Sequence, residues 1–205
     1  MSIFKQVIQN EAELREILGY AGQAAQNKVL PEIDEICHAF IEKSPFVLLG
    51  SIDANGNMDV SPKGDPAGFV QVMDNKTLLI PDRPGNRRGD TLSNVLQNPN
   101  IGLLFLVPGR SDTLRVNGTA QIVRDNDVRQ RFIMQGKVPV FVIAVTVKEA
   151  FFHCTKCVLR SELWSSEPEL DGLVSFGKAL VKHAKLDISV EEADAMVAEE
   201  KNKLY

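Results

Sequence analysis

Three arginines fall within six positions in the segment Asp82-Arg83-Pro84-Gly85-Asn86-Arg87-Arg88-Gly89-Asp90-Thr91. Guanidinium groups offer forked donors matched to phosphate oxygens, and glycines let the backbone approach an anion closely. The segment lies between a strand-like run and a helix-like run. The helix that opens near Asp90 would add oriented N–H groups and a positive dipole end. These are the parts of a phosphate cradle. The plainer reading is an exposed turn whose arginines are solvated or paired with Asp82 and Asp90, and the loop alone does not decide between the two. A second run, Val60-Ser61-Pro62-Lys63-Gly64-Asp65, sets a lysine beside a hydroxyl and two backbone-shaping residues. On its own it also reads as a surface turn.

Other clusters carry weaker chemistry. His153-Cys154-Thr155-Lys156-Cys157 contains a C-x-x-C pair beside a histidine, which is half of a zinc site. Closing it would need Cys37, His38 or His183 from distant segments, so no metal is expected and the thiols read as buried groups near a strand end. His153 titrates near neutrality and is a candidate to move protons, against the plainer reading of a surface or core histidine. Residues 172–178 spell G-x-x-x-x-G-K, but Ala179 replaces the hydroxyl that would hold magnesium and no strand precedes it, which excludes nucleotide hydrolysis. Asn117-Gly118-Thr119 matches a glycosylation sequon by letter and reads as a turn-like tripeptide.

The 205 residues, 44% apolar and 24% charged, are enough for one sizeable core. A net charge of −4 provides no global positive field for a nucleic-acid backbone or an anionic membrane, so any anion must be gripped locally. Three cysteines are too few and odd for a disulfide framework, and the opening residues lack the apolar core of a secretory leader. The longest apolar runs are far short of the roughly 20 residues that span a bilayer. The chain therefore reads as cytoplasmic, with reduced thiols and no membrane or nucleic-acid partner.

Apolar spacing predicts a helix over 11–28 despite Gly19 and Gly22. A second is predicted after Pro31, with Ile33, Ile36, Cys37, Phe40 and Ile41 on one face, ended by Ser44-Pro45. From Phe46 the texture turns to strands: 46–49, a hairpin signal at Asn55-Gly56, then 58–61, 68–73, 77–81, 101–107, 113–123 and 138–152. Helices are expected at 91–97 and 126–135 and through the C-terminal third, where Ser189 and Glu192 are spaced as a capping box. The class is α+β, and six or seven short strands imply a barrel or sandwich.

Taken together, the hairpin at 53–57, the Ser61-Pro62-Lys63-Gly64-Asp65 run, the loop and helix at 83–94, Asn98-Pro99-Asn100-Ile101 and Leu114-Arg115-Val116-Asn117-Gly118 resemble the pyridoxamine-phosphate-oxidase-like family of flavin mononucleotide (FMN) split barrels. The resemblance spans roughly 45–152. It implies a mainly antiparallel six- to seven-stranded split β-barrel, within one domain that has a helical extension at 1–44, the barrel at 45–153 and a second helical extension at 154–205. It also implies a homodimer with cofactor sites at the interface and an FMN-dependent oxidoreductase acting on a small molecule. By the same likeness Val60, Ser61 and Lys63 lie along the isoalloxazine and ribityl chain, Ile80, Pro81 and Asp82 flank it, and Asn86, Arg87 and Arg88 bind the phosphate. Lys63 is placed near the pyrimidine edge, where a positive group favours the anionic reduced flavin. Arg160 and Trp164 are expected to reach the other subunit's flavin, against a plain helix with Trp164 as a core anchor. The chain lacks the C-terminal tryptophan-to-arginine signature that holds the vitamin substrate in authentic oxidases, so that reaction is not expected. Two rivals share the fold: an F420-dependent reductase, and a flavin or haem carrier without turnover.

Overall fold

In the computed structural model, which describes residues 3–165, 167 and 170–205, seven strands form one sheet. They are β1 (Phe46–Ile52), β2 (Met58–Gly64), β3 (Gln71–Asp74), β4 (Thr77–Pro81), β5 (Asn100–Leu106), β6 (Thr113–Val123) and β7 (Val142–His153). Their order is β2-β1-β5-β6-β7-β4-β3, and every neighbouring pair is antiparallel. The α+β split barrel is thus built of sequential hairpins, closed off by β7 returning to β4. Alternation drives it: Val47, Leu49, Leu103, Phe105, Leu114, Val116, Ile143 and Val145 all turn into one core. Each such side chain contributes about 1.5–3 kcal/mol when removed from water.

Gly118 marks where the two longest strands bend. The register of β6 against β7 shifts between Asn117 and Gly118, and a Cβ on Gly118 would lie 2.1 Å from the Thr146 carbonyl oxygen. Only glycine permits that approach. The Asn117-Gly118-Thr119 tripeptide therefore sits inside a strand at a bulge, not in the expected turn.

Helix α3 (Glu35–Lys43) closes one face. Asp34 caps it by accepting from the Cys37 amide at 2.8 Å, and it buries Cys37, Phe40 and Ile41. The predicted stripe is corrected at Ile36, which is 62% exposed. Ile33, ahead of the helix, still packs into the same core as Cys37, Phe40 and Ile41; Ile36, one residue before Cys37, is turned roughly 100° from it around the helix and falls off that stripe. Ser44 ends α3 with its hydroxyl within reach of the Phe46 and Leu106 carbonyls. The helix expected over 11–28 is two: α1 (Glu11–Leu18) stops at Gly19, whose φ of 76° is outside the helical range, and α2 (Gln23–Asn27) restarts beyond Gly22. Helix α1 buries none of its residues.

Two further differences shape the cavity described below. Helix α4 spans Asp90–Gln97 as expected, but α5 is only Asn126–Gln130: from Arg131 to Ile133 the chain tightens into i to i−3 hydrogen bonds, and it then turns through Gln135 (φ 49°) and Gly136 (φ 75°). Strand β7 begins at Val142 rather than 138, since the residues before it line that cavity instead of joining the sheet. After β7 come α6 (Lys156–Ser161), α7 (Phe176–Ala184) and α8 (Val190–Glu199), the last opened by the Ser189/Glu192 capping box. Gly177 of the rejected nucleotide-binding motif lies in α7, where it lets α8 approach: a Cβ would fall 2.6 Å from the Asp194 amide. Among the described residues no helix is long and apolar enough to cross a membrane.

Candidate functional site

Strand β2 lies at the sheet edge, so Pro62, which lacks an N–H, is tolerated there. Along it Asp59, Ser61 and Lys63 are half-buried while Val60 and Pro62 are exposed. Opposite runs the 82–89 loop between β4 and α4. Between them opens a cavity of about 750 Å³ that both segments line, together with Lys137 to Phe141 and Tyr205. Such a volume falls in the range of small-molecule sites.

The loop's shape is fixed locally. Asn86 Oδ1 accepts from the Arg88 amide at 3.0 Å, Arg87 has a left-handed φ of 61°, and Gly89 (φ 68°) leads the chain into α4. Helix α4 is then tied to the sheet. Thr91, buried, donates to Asp59 Oδ2 at 2.8 Å, and the Asn94 amide donates to Ser51 Oγ at 3.0 Å. Its first turn has no side-chain cap, so its amides remain available to an anion.

The three arginines divide. Arg83 is a structural pin: Nε donates to Asp65 Oδ2 at 2.6 Å and Nη1 to the Phe132 carbonyl at 2.8 Å. The Asp65 side chain is 1% exposed and that of Arg83 16%. Arg88 pairs with Asp90 at 2.7 Å on the surface, which raises its already high pKa through that hydrogen bond. Arg87 makes no hydrogen bond or ion pair among the described residues. Asp82 pairs not with an arginine but with Lys63, at 3.6 Å. Among the described residues, five cations, Lys63, Arg83, Arg87, Arg88 and Lys137, line the cavity against the three carboxylates Asp59, Asp82 and Asp90. The excess favours an anionic ligand.

Val60, Ser61, Lys63, Asp82, Asn86, Arg87 and Arg88 are therefore brought together around one cavity. Ile80 and Pro81 are buried within β4 and do not line it. Arg160 and Trp164 stand apart from it. Both are exposed, and the Trp164 indole donates to the Arg110 carbonyl at 2.7 Å, so Trp164 is not a core anchor. Lys137 and Tyr205 were not expected from sequence, because only the turn at Gln135-Gly136 and the path of the final residues deliver them. The thiol expectation is also corrected: Cys154 and Cys157 are exposed, and only Cys37 is buried. Among the described residues no group of His, Cys, Asp or Glu is arranged to hold a metal. His153 is half-buried between Arg115 and Lys28; burial first, then those two charges, lower its pKa below the ordinary histidine value.

Comparison with solved structures finds similar chains of low identity. Group A Streptococcus HupZ is 21% identical, with 58% of this chain and 93% of that one covered at a TM-score of 0.49. An FMN-binding protein from Syntrophomonas wolfei subsp. wolfei is 12% identical, covering 58% and 90% at 0.43. An F420 reductase is 16% identical, covering 59% and 98% at 0.41. No curated protein matches the chain. A family model described as pyridoxamine 5'-phosphate oxidase matches residues 33–154. That match begins just before α3, ends just after β7 and takes in both walls of the cavity, and by it the chain belongs to the pyridoxamine 5'-phosphate oxidase family.

Proposed function

We propose that this chain binds FMN in the cavity between β2 and the 82–89 loop and acts as an FMN-dependent oxidoreductase on a small molecule. The observation that carries the reading is Arg87, without a partner among the described residues, beside the first turn of α4, which has no side-chain cap among them, on the wall of a cavity of about 750 Å³. Family membership points the same way.

In this reading Arg87, the Asn86 side chain and the α4 amides hold the phosphate, and Arg88 turns to it from Asp90. A dianion at an uncapped helix start, facing guanidinium groups, is favoured by both dipole and charge. Val60 and Ser61 lie along the ribityl chain and ring. Lys63, held by Asp82, donates toward the pyrimidine edge, and Ile80 and Pro81 support that wall from within β4. Bound FMN would supply hydride or electron transfer, and the protein supplies grip, orientation and a positive group that raises the potential.

The working unit is read as a homodimer. Val60 and Met58 are 62% and 67% exposed on edge strand β2 beside the cavity, which leaves an apolar strip that a second copy would cover. Arg160 and Trp164, remote from their own cavity, are then offered to the partner's. The segments 1–44 and 154–205 are read as helical extensions of one barrel domain. The exposed thiols Cys154 and Cys157 suit a reducing, cytoplasmic setting.

The test is to purify the protein without added cofactor, record its visible spectrum, weigh the released ligand, and add NADH or NADPH anaerobically. A yellow protein releasing FMN and bleached by a nicotinamide donor is expected. The Arg87→Ala/Arg88→Ala double variant should be folded by circular dichroism and nearly colourless. A folded double variant with full flavin would move the cradle elsewhere, a deazaflavin mass would replace the cofactor, and flavin that no donor reduces would leave a carrier.

A further inference from the structure

Three stretches remote in sequence meet on one side of the cavity, and Tyr205 lies at their junction. Its hydroxyl donates to Asp65 Oδ1, just past the end of β2. The Arg83 guanidinium, in the loop after β4, sits 5.4 Å from its ring centroid. Lys137 Nζ, in the loop before β7, donates to its backbone oxygen. Tyr205 is half-buried and lines the cavity.

Asp65 explains why this contact matters. Its carboxylate is almost fully shielded from water, and one oxygen is taken by Arg83 Nε. The phenol occupies the other. A shielded carboxylate oxygen with no donor is costly, so the phenol and the Arg83 pin support each other. Accepting from the hydroxyl, Asp65 raises the phenol above its ordinary pKa, which keeps it a neutral donor.

A residue in this position is either a plug or a wall, and the remaining space decides. The cavity measures about 750 Å³ with Tyr205 in place, inside the range of roughly 300–1,000 Å³ typical of ligand sites. Tyr205 borders the space rather than filling it.

We propose that Tyr205 is a positioning residue of the cofactor site, a strap that clips the Asp65, Arg83 and Lys137 segments around the ligand and slows its escape. The inference rests on reading the cavity as an FMN site. A clip that must open before release acts on the dissociation rate, while association, limited by encounter, changes little.

Two variants of the full chain, Tyr205→Ala and Tyr205→Phe, test this by two readouts. The first is FMN dissociation followed by recovery of flavin fluorescence. Tyr205→Ala should release FMN at least about tenfold faster with association within about threefold of the parent, and Tyr205→Phe, which keeps ring and cation contact but loses the Asp65 bond, should fall between. The second needs no ligand: hydrogen exchange of the backbone amides at 83–89 and 134–141 should quicken in Tyr205→Ala while β5 and β6 stay protected. Unchanged release, tighter binding, or unchanged exchange in those two segments would overturn the strap. If the parent takes up no FMN, the proposed function fails, and the exchange experiment alone decides whether the clip exists.

Discussion

Arg87 joins strain and function in one residue, and two substitutions separate them. Its φ of 61° puts a side-chain-bearing residue in the left-handed region, a conformation that costs an L residue about 1–2 kcal/mol. Its guanidinium has no protein partner among the described residues, so no native contact offsets that cost, whereas a ligand phosphate would. Arg87→Gly and Arg87→Ala remove the same cation, but only glycine relieves the backbone. After the entropy that glycine adds to the unfolded chain, glycine should exceed alanine by about 1 kcal/mol of stability. For a chain of this size that is about 2–4 °C in melting temperature. Alanine keeps the strain and should melt near the parent, with glycine above both. Both should bind FMN about 10- to 100-fold more weakly, the loss expected for one charge-assisted hydrogen bond to phosphate. Calorimetry of the ligand-free variants and a flavin fluorescence titration read the two quantities. Glycine and alanine variants melting together would refute the strain, and either one binding FMN within twofold of the parent would refute the grip.

Further consequences follow from single groups. Gly118→Ala forces a Cβ to 2.1 Å from the Thr146 carbonyl and should cost more than about 3 kcal/mol by prying β6 from β7; a denaturant midpoint close to the parent's would contradict the bulge argument. With Cys37 pushed up to about 12 by burial first and by Asp34 second, and with Cys154 and Cys157 exposed, a thiol-reactive chromophore at mildly alkaline pH should titrate two thiols rapidly and the third only after unfolding. Three fast thiols, or fewer than two, would contradict the burial pattern. His153 has a folded pKa below its unfolded value, so the unfolded chain binds the extra proton and this group's share of stability declines as pH falls through 6.5 toward the folded pKa. His153→Gln should flatten that part of the stability profile, and an unchanged acid limb would show that the field of Arg115 and Lys28 is not felt there.

The strands were legible because they are largely β-branched runs bounded by Gly, Pro, Asn and Asp, residues that break strands. Expected bounds 77–81 and 113–123 coincide with β4 and β6; β6 alternates buried and half-buried residues over much of its length, whereas β4 is a short apolar run buried from Leu78 to Pro81. Helical reading failed where local backbone competed with pattern, as at Gly19, or where the assumed stripe was drawn too wide, as at Ile36, which is exposed while Ile33, Cys37, Phe40 and Ile41 share the core. The 138–152 run misled differently: Val138 to Phe141 are apolar because they face a cavity, not because they pair in a sheet. In the site, the basic loop and the Val60–Lys63 run could be picked out because arginine, glycine and lysine are unusual in those contexts, but that run, read on its own as a surface turn beyond the 58–61 strand, is part of β2, which continues to Gly64. How the charges pair was not legible. That Arg83 serves Asp65 and Lys63 serves Asp82 depends on the barrel bringing together the ends of β2 and β4, strands that do not pair in the sheet and whose partners lie 18 and 19 residues apart, and no spacing rule announces it. Tyr205 is further still from its partner Asp65, 140 residues along the chain.

FMN and riboflavin differ by the phosphate alone, so their relative affinity reports whether the 82–91 segment recognises that group. Titrating the ligand-free protein with each at matched ionic strength should show riboflavin binding at least about a hundredfold more weakly, as loss of two charge-assisted hydrogen bonds requires. Riboflavin binding as tightly as FMN would mean that Arg87, Arg88 and the start of α4 hold no phosphate.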